Sequence, residues 1–366
     1  MAEENLVDAQ DSASAPNKPK LGEKVSKVAT YYHPRTWKEK GLWWTLGLFL
    51  VTYAIVVIVL GFLWSRSPGE FDVRERALEI AQNDKKKLVS GYITTVAAIH
   101  IAETLLDKPG GYLSNDITPP GIYLDNIPNW EYGALTELRD LVRTMRNDFS
   151  RSQTQSIEDK DLQIADPQFS YDSESWILPS SESEYRKGVE ALYRYLNRLA
   201  DEKAFDGQFF TRADNLSVYL QVVEKRLGSL AQRLAAGVGQ TRFNLDLAGD
   251  PNARQSTPVP AQSQVKTPWL KIDDVFFEAR GYAWALVHTL KAIEIDFGDV
   301  LANKNAVVSL KQIVRELENT QSFIWSPMIL NGTGFGPMAN HSLIMASYIS
   351  RANAAIIDLR NLLLQG

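Results

Sequence analysis

The sequence predicts an all-α protein, with one N-terminal transmembrane helix followed by an exported helical bundle. Three observations carry this expectation. The run Gly41 to Trp64, GLWWTLGLFLVTYAIVVIVLGFLW, holds no charge over 24 residues. Beyond it, apolar residues recur three and four apart in segment after segment, the spacing of a helix face. Alternating strand patterns are nearly absent.

As a helix, the apolar run would reach ~36 Å at ~1.5 Å per residue, more than a ~30 Å hydrocarbon core. Fourteen of its residues are Leu, Ile, Val or Phe. At roughly −0.3 to −0.6 kcal/mol each, insertion is favourable before end effects are counted. Trp43 and Trp44 mark one end and Trp64 the other, where indoles favour the headgroup zone. Lys27, Arg35, Lys38 and Lys40 precede the run with only Glu39 nearby to oppose them, whereas the far flank mixes Arg66, Arg74 and Arg76 with Glu70, Asp72 and Glu75. Basic residues stay on the cytoplasmic side, so the N-terminus is expected in the cytoplasm and the C-terminal part outside it, in an inner-membrane protein with a single pass. The apolar run is longer than a signal peptide's, and no Ala-x-Ala site follows Trp64; an uncleaved anchor fits better.

With 366 residues, 45 % of them hydrophobic, about 300 residues after the span can bury a proper core. That part carries 32 basic against 38 acidic residues, a net of −6, and shows no basic stripe, which argues against nucleic acid as a partner. The chain has no cysteine, so disulfides, thiolate nucleophiles and cysteine-held metal sites are excluded.

Residues 1–40 read as a disordered cytoplasmic tail, polar and carrying Pro16 and Pro19, with YYHPRTWKEK (Tyr31 to Lys40) as an interfacial anchor beside the span at 41–64. A helical region is expected over 66–249. Its first helix runs from about Phe71 to Asp107 and is ended by Lys108-Pro109-Gly110-Gly111. An apolar, Gly/Pro-rich loop follows, and then a helix from Trp130 to about Arg151 with Leu135, Leu138, Val142, Met145 and Phe149 on one face. Gln153 to Ser181 reads as a loop. Ser181-x-x-Glu184 has the spacing of a capping box and opens a helix that turns Val189, Leu192, Leu196 and Leu199 inward. Another helix spans Ala213 to Ala236 and stops at Gly237-Val238-Gly239.

Residues 250–268 read as a Pro-rich linker or loop, and 269–366 as a C-terminal helical region packing with the preceding one. There, Asp273 or Asp274 can cap a helix to about Val300. Its apolarity on nearly every side from Tyr282 to Ile295 marks a buried central element. An amphipathic helix covers about Asn305 to Ile324, and NGTGFGPMAN (Asn331 to Asn340) makes a glycine-rich turn. Met345, Ile349, Ala352, Ile356, Leu359 and Leu363 then form a heptad seam, which suits an intramolecular bundle helix and would also permit a homo-oligomer.

Catalytic signatures are thin. His100 and Glu103 share a helix face at i, i+3, a spacing used in bundle metal sites, but a di-iron bundle needs two Glu-x-x-His motifs and two more carboxylates in an order that does not occur. No Gly-x-Ser-x-Gly elbow is present, and Gly332-x-Gly334-x-Gly336 lacks the Lys-Ser/Thr of a phosphate loop. Asn215-Leu-Ser217 and Asn331-Gly-Thr333 are glycosylation sequons, without weight unless the host glycosylates. Neither a catalytic set, nor a metal, nor a cofactor is expected.

Two blocks are distinctive: DKPGGYLSNDITPPGIYLDNIPNWEYGAL (Asp107 to Leu135) and ILNGTGFGPMANHSLIMASYISRANAAIIDLRNLL (Ile329 to Leu364). They resemble a family of bacterial membrane-anchored proteins known as domain of unknown function 2333, over the span and nearly all that follows. The resemblance implies a Gram-negative inner-membrane protein and carries over no catalytic residue. The expected role is an interaction or scaffold protein of the cell envelope, touching the bilayer through 41–64 and an envelope protein through the two blocks. Tyr112, Asn115, Asp116, Trp130, Asn331, Asn340 and His341 are the candidate interaction residues. The alternatives are an envelope ligand sensor or an enzyme acting on lipid or peptidoglycan.

Overall fold

Glycines and small residues on two apolar helices decide how closely the centre of this protein packs. In a computed structural model, residues 30–84, 87–152, 157–201, 206–243, 260, 262–324, 329 and 341–365 are described. The chain divides into two compact units, Met1–Val59 and Leu60–Gly366.

In the first unit, α1 (Pro34–Lys40) is a short helix where a disordered tail is expected. His33 caps it by accepting from Arg35 N, Pro34 supplies a preset φ at the first position, and Trp37 packs edge-on against Phe49 at 5.3 Å. The tail before residue 30 lies outside the described residues. Helix α2 (Leu42–Trp64) follows; it is long and apolar enough to cross a membrane, and none of its residues is buried by the rest of the chain.

Among the described residues the second unit is helical apart from one antiparallel strand pair and the connecting turns. Helices α3 (Val73–Asp84) and α4 (Tyr92–Asp107) replace the single expected helix. The break falls at Gly91, whose φ of +83° is left-handed and whose missing Cβ leaves room for Phe209. Helix α5 (Asn126–Thr144) begins one turn earlier than expected and runs into a π turn at Met145–Phe149. Helix α6 (Leu162–Phe169) lies within the expected loop, burying Leu162, Ala165 and Phe169. Helix α7 (Ser181–Leu199) is capped by Ser180, not Ser181: Ser180 Oγ accepts from Ser183 N, while Ser181 Oγ is turned inward to donate to Asp172 O at 2.7 Å. Helix α8 (Ala213–Ala235) keeps its expected bounds within a residue.

Strands β1 (Gln240–Phe243) and β2 (Gln262–Val265) pair antiparallel, Gln240 opposite Val265, and β2 falls inside the stretch 250–268 expected as a linker or loop. Most of that linker lies outside the described residues. Helix α9 (Ile272–Asp296) is buried along nearly its whole length, as its all-round apolarity requires. Its cap position is Lys271, with no side-chain cap, and Asp273 and Asp274 sit in its first turn. Helices α10 (Gly298–Asn303), α11 (Val307–Asn319) and α12 (His341–Leu364) complete the unit.

Helix α9 is the hub, packing on α4, α5, α11 and, less extensively, α8 and α12. Its closest neighbour is α5. A Cβ on Gly281 would stand 1.9 Å from Trp130 O, and one on Gly133 would stand 2.0 Å from Glu278 O, so the two backbones touch where only glycine fits. The Trp130 and Trp284 rings close the crossing with centroids 5.0 Å apart. Helix α12 turns its whole heptad set, from Met345 to Leu363, into the core against α8 and α11. The seam is used within the chain.

The segment after α2 is tied to the same hub. Trp284 Nε1 donates to Gly69 O at 2.9 Å, and Phe71 N donates to His288 Nε2 at 3.0 Å. The Phe71 ring stacks on His288 with centroids 3.9 Å apart, and Lys291 pairs with Glu70 at 3.0 Å. His288 is fully buried, and burial holds its pKa down at about 3, so its neutral ring donates from Nδ1 to Trp284 O at 2.7 Å while Nε2 accepts.

The glycine crossing yields a direct test. Gly281→Ala should destabilise the protein by about 3 kcal/mol, because neither helix can withdraw from the other without opening the core. A half-buried control with open space around its missing Cβ, Gly298→Ala, should leave the urea midpoint nearly unchanged. Equal midpoints for the two variants would refute the close-packed crossing.

Candidate functional site

The first distinctive block is built as a lock. Glu131, fully buried on α5, accepts from Leu113 N at 2.9 Å, Ser114 N at 2.8 Å and Ser114 Oγ. The buried Lys108 ammonium pairs with it and also donates to Leu105 O and Gly111 O. A buried ion pair with every donor used fixes the turn after α4 to the start of α5. Tyr112 and Trp130, expected on an interaction surface, are buried here. Tyr112 donates to Ser173 O at 3.1 Å and meets Tyr185 edge-on, and Trp130 packs at a tilt against Trp284. Both are large aromatics, and burial in the crossing is how their area stabilises the fold. Asn115 is also buried, donating to Ser175 O and Glu182 Oε2 at 2.8 Å each. Asp116 beside it stays half-exposed, its pKa raised by burial and by the Glu182 charge.

The second block contributes His341 to a cavity of about 150 Å³, whose walls include Phe276, Arg280, Ser322, Phe323, Ile344 and Tyr348. Asn331 and Asn340 lie outside the described residues. Arg280 is the unusual member. It sits on α9 with 9 % of its surface exposed, and its guanidinium caps the C-terminus of α11 by donating to Thr320 O, Gln321 O and Ser322 O at 2.9 Å each. Three carbonyls satisfy three N–H groups, and Nε has no hydrogen-bond partner. Among the described residues no carboxylate pairs with it, and desolvation lowers its pKa to about 10. A buried cation held only by carbonyl dipoles leaves the cavity positive and suited to an acceptor group, with Phe276, Phe323 and Ile344 as apolar flanks. The signal for Arg280 was on the page: it is the lone cation in the apolar stretch ARGYAWALVHTL.

Two further groups bear on chemistry. His100 meets Phe71 edge-on at 4.2 Å and stands 3.7 Å from Glu103, a half-exposed pair; no group of three His, Asp or Glu able to hold a metal occurs among the described residues. Glu137 is fully buried, accepts from Tyr219 OH at 2.6 Å and lies near Asp140, whose carboxylate takes a two-pronged contact from Arg226. Burial pushes its pKa up to about 8, so at neutral pH it holds its proton.

Comparison with known proteins places this chain in a family of uncharacterised bacterial proteins. The family described as "Uncharacterized protein conserved in bacteria (DUF2333)" matches residues 37–366, and the chain belongs to it. No curated protein and no solved structure matches it.

Two outcomes follow from these buried charges. Glu131→Ala should cost about 3–5 kcal/mol, because the Lys108 ammonium is left buried and unpaired; a urea midpoint within error of the parent would refute the lock. Glu137 binds its proton more tightly in the fold than in the unfolded chain, so its stabilisation is full below pH 4.5 and is lost as pH rises through about 8. Glu137→Gln should therefore flatten the decline in unfolding free energy between pH 5 and pH 8, which denaturation across that range would read.

Proposed function

We propose that the chain is a membrane-anchored interaction protein of the bacterial cell envelope. In this reading α2 spans the inner membrane with its basic flank cytoplasmic, and the helical unit stands in the periplasm and holds a partner protein at the Arg280 cavity. The observation that supports it most is Arg280 itself, a buried cation with no carboxylate partner among the described residues, lining an apolar-flanked opening beside the start of α12. A partner loop bearing a carboxylate or carbonyl next to an apolar side chain has the matching chemistry.

A second reading, an envelope ligand sensor, draws support from the ties between Gly69, Phe71 and α9, which link the chain leaving α2 to the helix that lines the cavity. It calls for a ligand-dependent shift in the melting temperature of the full chain.

The decisive measurement is crosslinking in intact cells with a photoreactive residue at Phe323, which is 74 % exposed at the cavity rim. One reproducible envelope protein should be captured, and capture should drop at least several-fold when His341→Ala and Ile344→Asp are added. No adduct from Phe323 in an abundant, folded protein would overturn the interaction reading at this site.

A further inference from the structure

Named contacts assign six helix ends of the second unit to one end of the bundle. The C-terminus of α4 and the N-terminus of α5 meet through Lys108 and Glu131. The N-terminus of α7 joins them through Arg186 and Asp107 at 2.7 Å and through Asn115 and Glu182. Gly281 against Trp130 sets the N-terminal half of α9 beside the start of α5, Arg233 and Glu278 bring in the C-terminus of α8, and Arg280 holds the C-terminus of α11. The residues leaving the apolar helix reach this same end. The Trp64 ring lies 2.8 Å from the place of a Cβ on Gly110, and Pro120 is 3.6 Å from that of Gly61. Gly61 is inside the apolar run, one turn before its closing tryptophan, so Pro120 packs beside the end of that run.

The exposed aromatic residues follow that placement. Beyond Trp64, six large aromatic side chains are exposed among the described residues: Tyr123, Tyr132, Trp176, Phe243, Trp269 and Phe323. Tyr132 is in the second turn of α5, and the other five lie on turns or strands adjoining helix ends that close this end. Ser175, just before Trp176, is hydrogen-bonded to Asn115, and Tyr123 is three residues from Pro120. Ile117, Ile122, Leu178 and Leu270 are exposed beside them. The opposite end is marked by Thr94 bonding Asp296 at 2.7 Å and Lys304 bonding Gln365 O at 2.7 Å. It exposes Leu88, Ile157, Val308 and Leu364, and no aromatic among the described residues.

We propose that this aromatic end, apart from the Arg280 cavity and Phe323 at its rim, is a second membrane contact, seated in the headgroup zone of the leaflet from which α2 emerges. The occupant is the phospholipid bilayer itself, because the surface is continuous with the point where the apolar helix leaves it. Tryptophan and tyrosine partition to that zone, burying an apolar ring while the ring's polar atom stays wet. The contact is aromatic more than electrostatic, since acidic Asp116, Asp125 and Asp273 share the end with the basic residues. It rests on α2 spanning the bilayer.

The chain has no cysteine, so single labelling sites can be introduced cleanly in the full-length protein. Trp176→Cys, Trp269→Cys, Ile157→Cys, Val308→Cys and Val56→Cys are spin-labelled in nanodiscs of phosphatidylethanolamine and phosphatidylglycerol. Collisions with oxygen report lipid, and collisions with a water-soluble nickel chelate report solvent. The oxygen-to-nickel ratio at 176 and 269 should be several-fold above that at 157 and 308, approaching the value at 56. Ratios at 176 and 269 equal to those at 157 and 308, with 56 in lipid, would overturn the proposal and leave the anchor standing. A water-like ratio at 56 would remove both. Labels at 176 and 269 that are solvent-exposed in nanodiscs but shielded from both reagents in native membrane vesicles would assign the surface to a protein partner instead.

Discussion

The contact between α5 and α9 is the constraint on which the second unit depends. Two glycines, Gly133 and Gly281, let the backbones touch, and the touching backbones decide what surrounds them. Trp130 and Trp284 fill the angle between the helices, and Glu131 faces the other way to hold the turn after α4. A wider crossing would open space about those rings, and interiors packed near 0.75 density do not tolerate such space cheaply. The remaining helices are arranged round this pair, with α4 and α11 packed on α9, and α8 and α12 alongside.

Much of the fold was legible because its helices obey simple periodicity. The span, α8, α9 and α12 were all readable from apolar spacing, and the heptad positions of α12 are the ones the fold buries. What escaped depended on contacts distant in sequence. The break between α3 and α4 is fixed by Phe209 closing on Gly91, more than a hundred residues away. Ser181 looked like a cap, yet its hydroxyl bonds a carbonyl nine residues earlier, and Ser180 takes the capping role. The strands β1 and β2 carry little apolar content and pair across a long intervening segment, so no local alternation announced them.

The candidate site shows the same division. His341 lines the cavity, whereas Tyr112 and Trp130 were assigned to a surface because aromatics in a Gly/Pro-rich block so often serve recognition. Here the block's conformation is itself the thing being held: Lys108 and Glu131 organise it from beneath, and its aromatics are part of the packing. Arg280 was readable as a charge out of place in an apolar helix. That its guanidinium faces three carbonyls could be seen only once α11 was in position.

The link between Gly69, Phe71 and α9 has a mechanical consequence. A protein tethered to a membrane is pulled wherever the tether joins it, and most tethers join at a frayed terminus. In the anchored reading proposed above, the tether is fastened partway along the most deeply buried helix, by two hydrogen bonds and a stacked ring pair. Tension on the anchor is therefore borne in shear across α9 and its neighbours, where many contacts must yield together. The domain should resist thermal and applied force as one body, without peeling from its N-terminal edge.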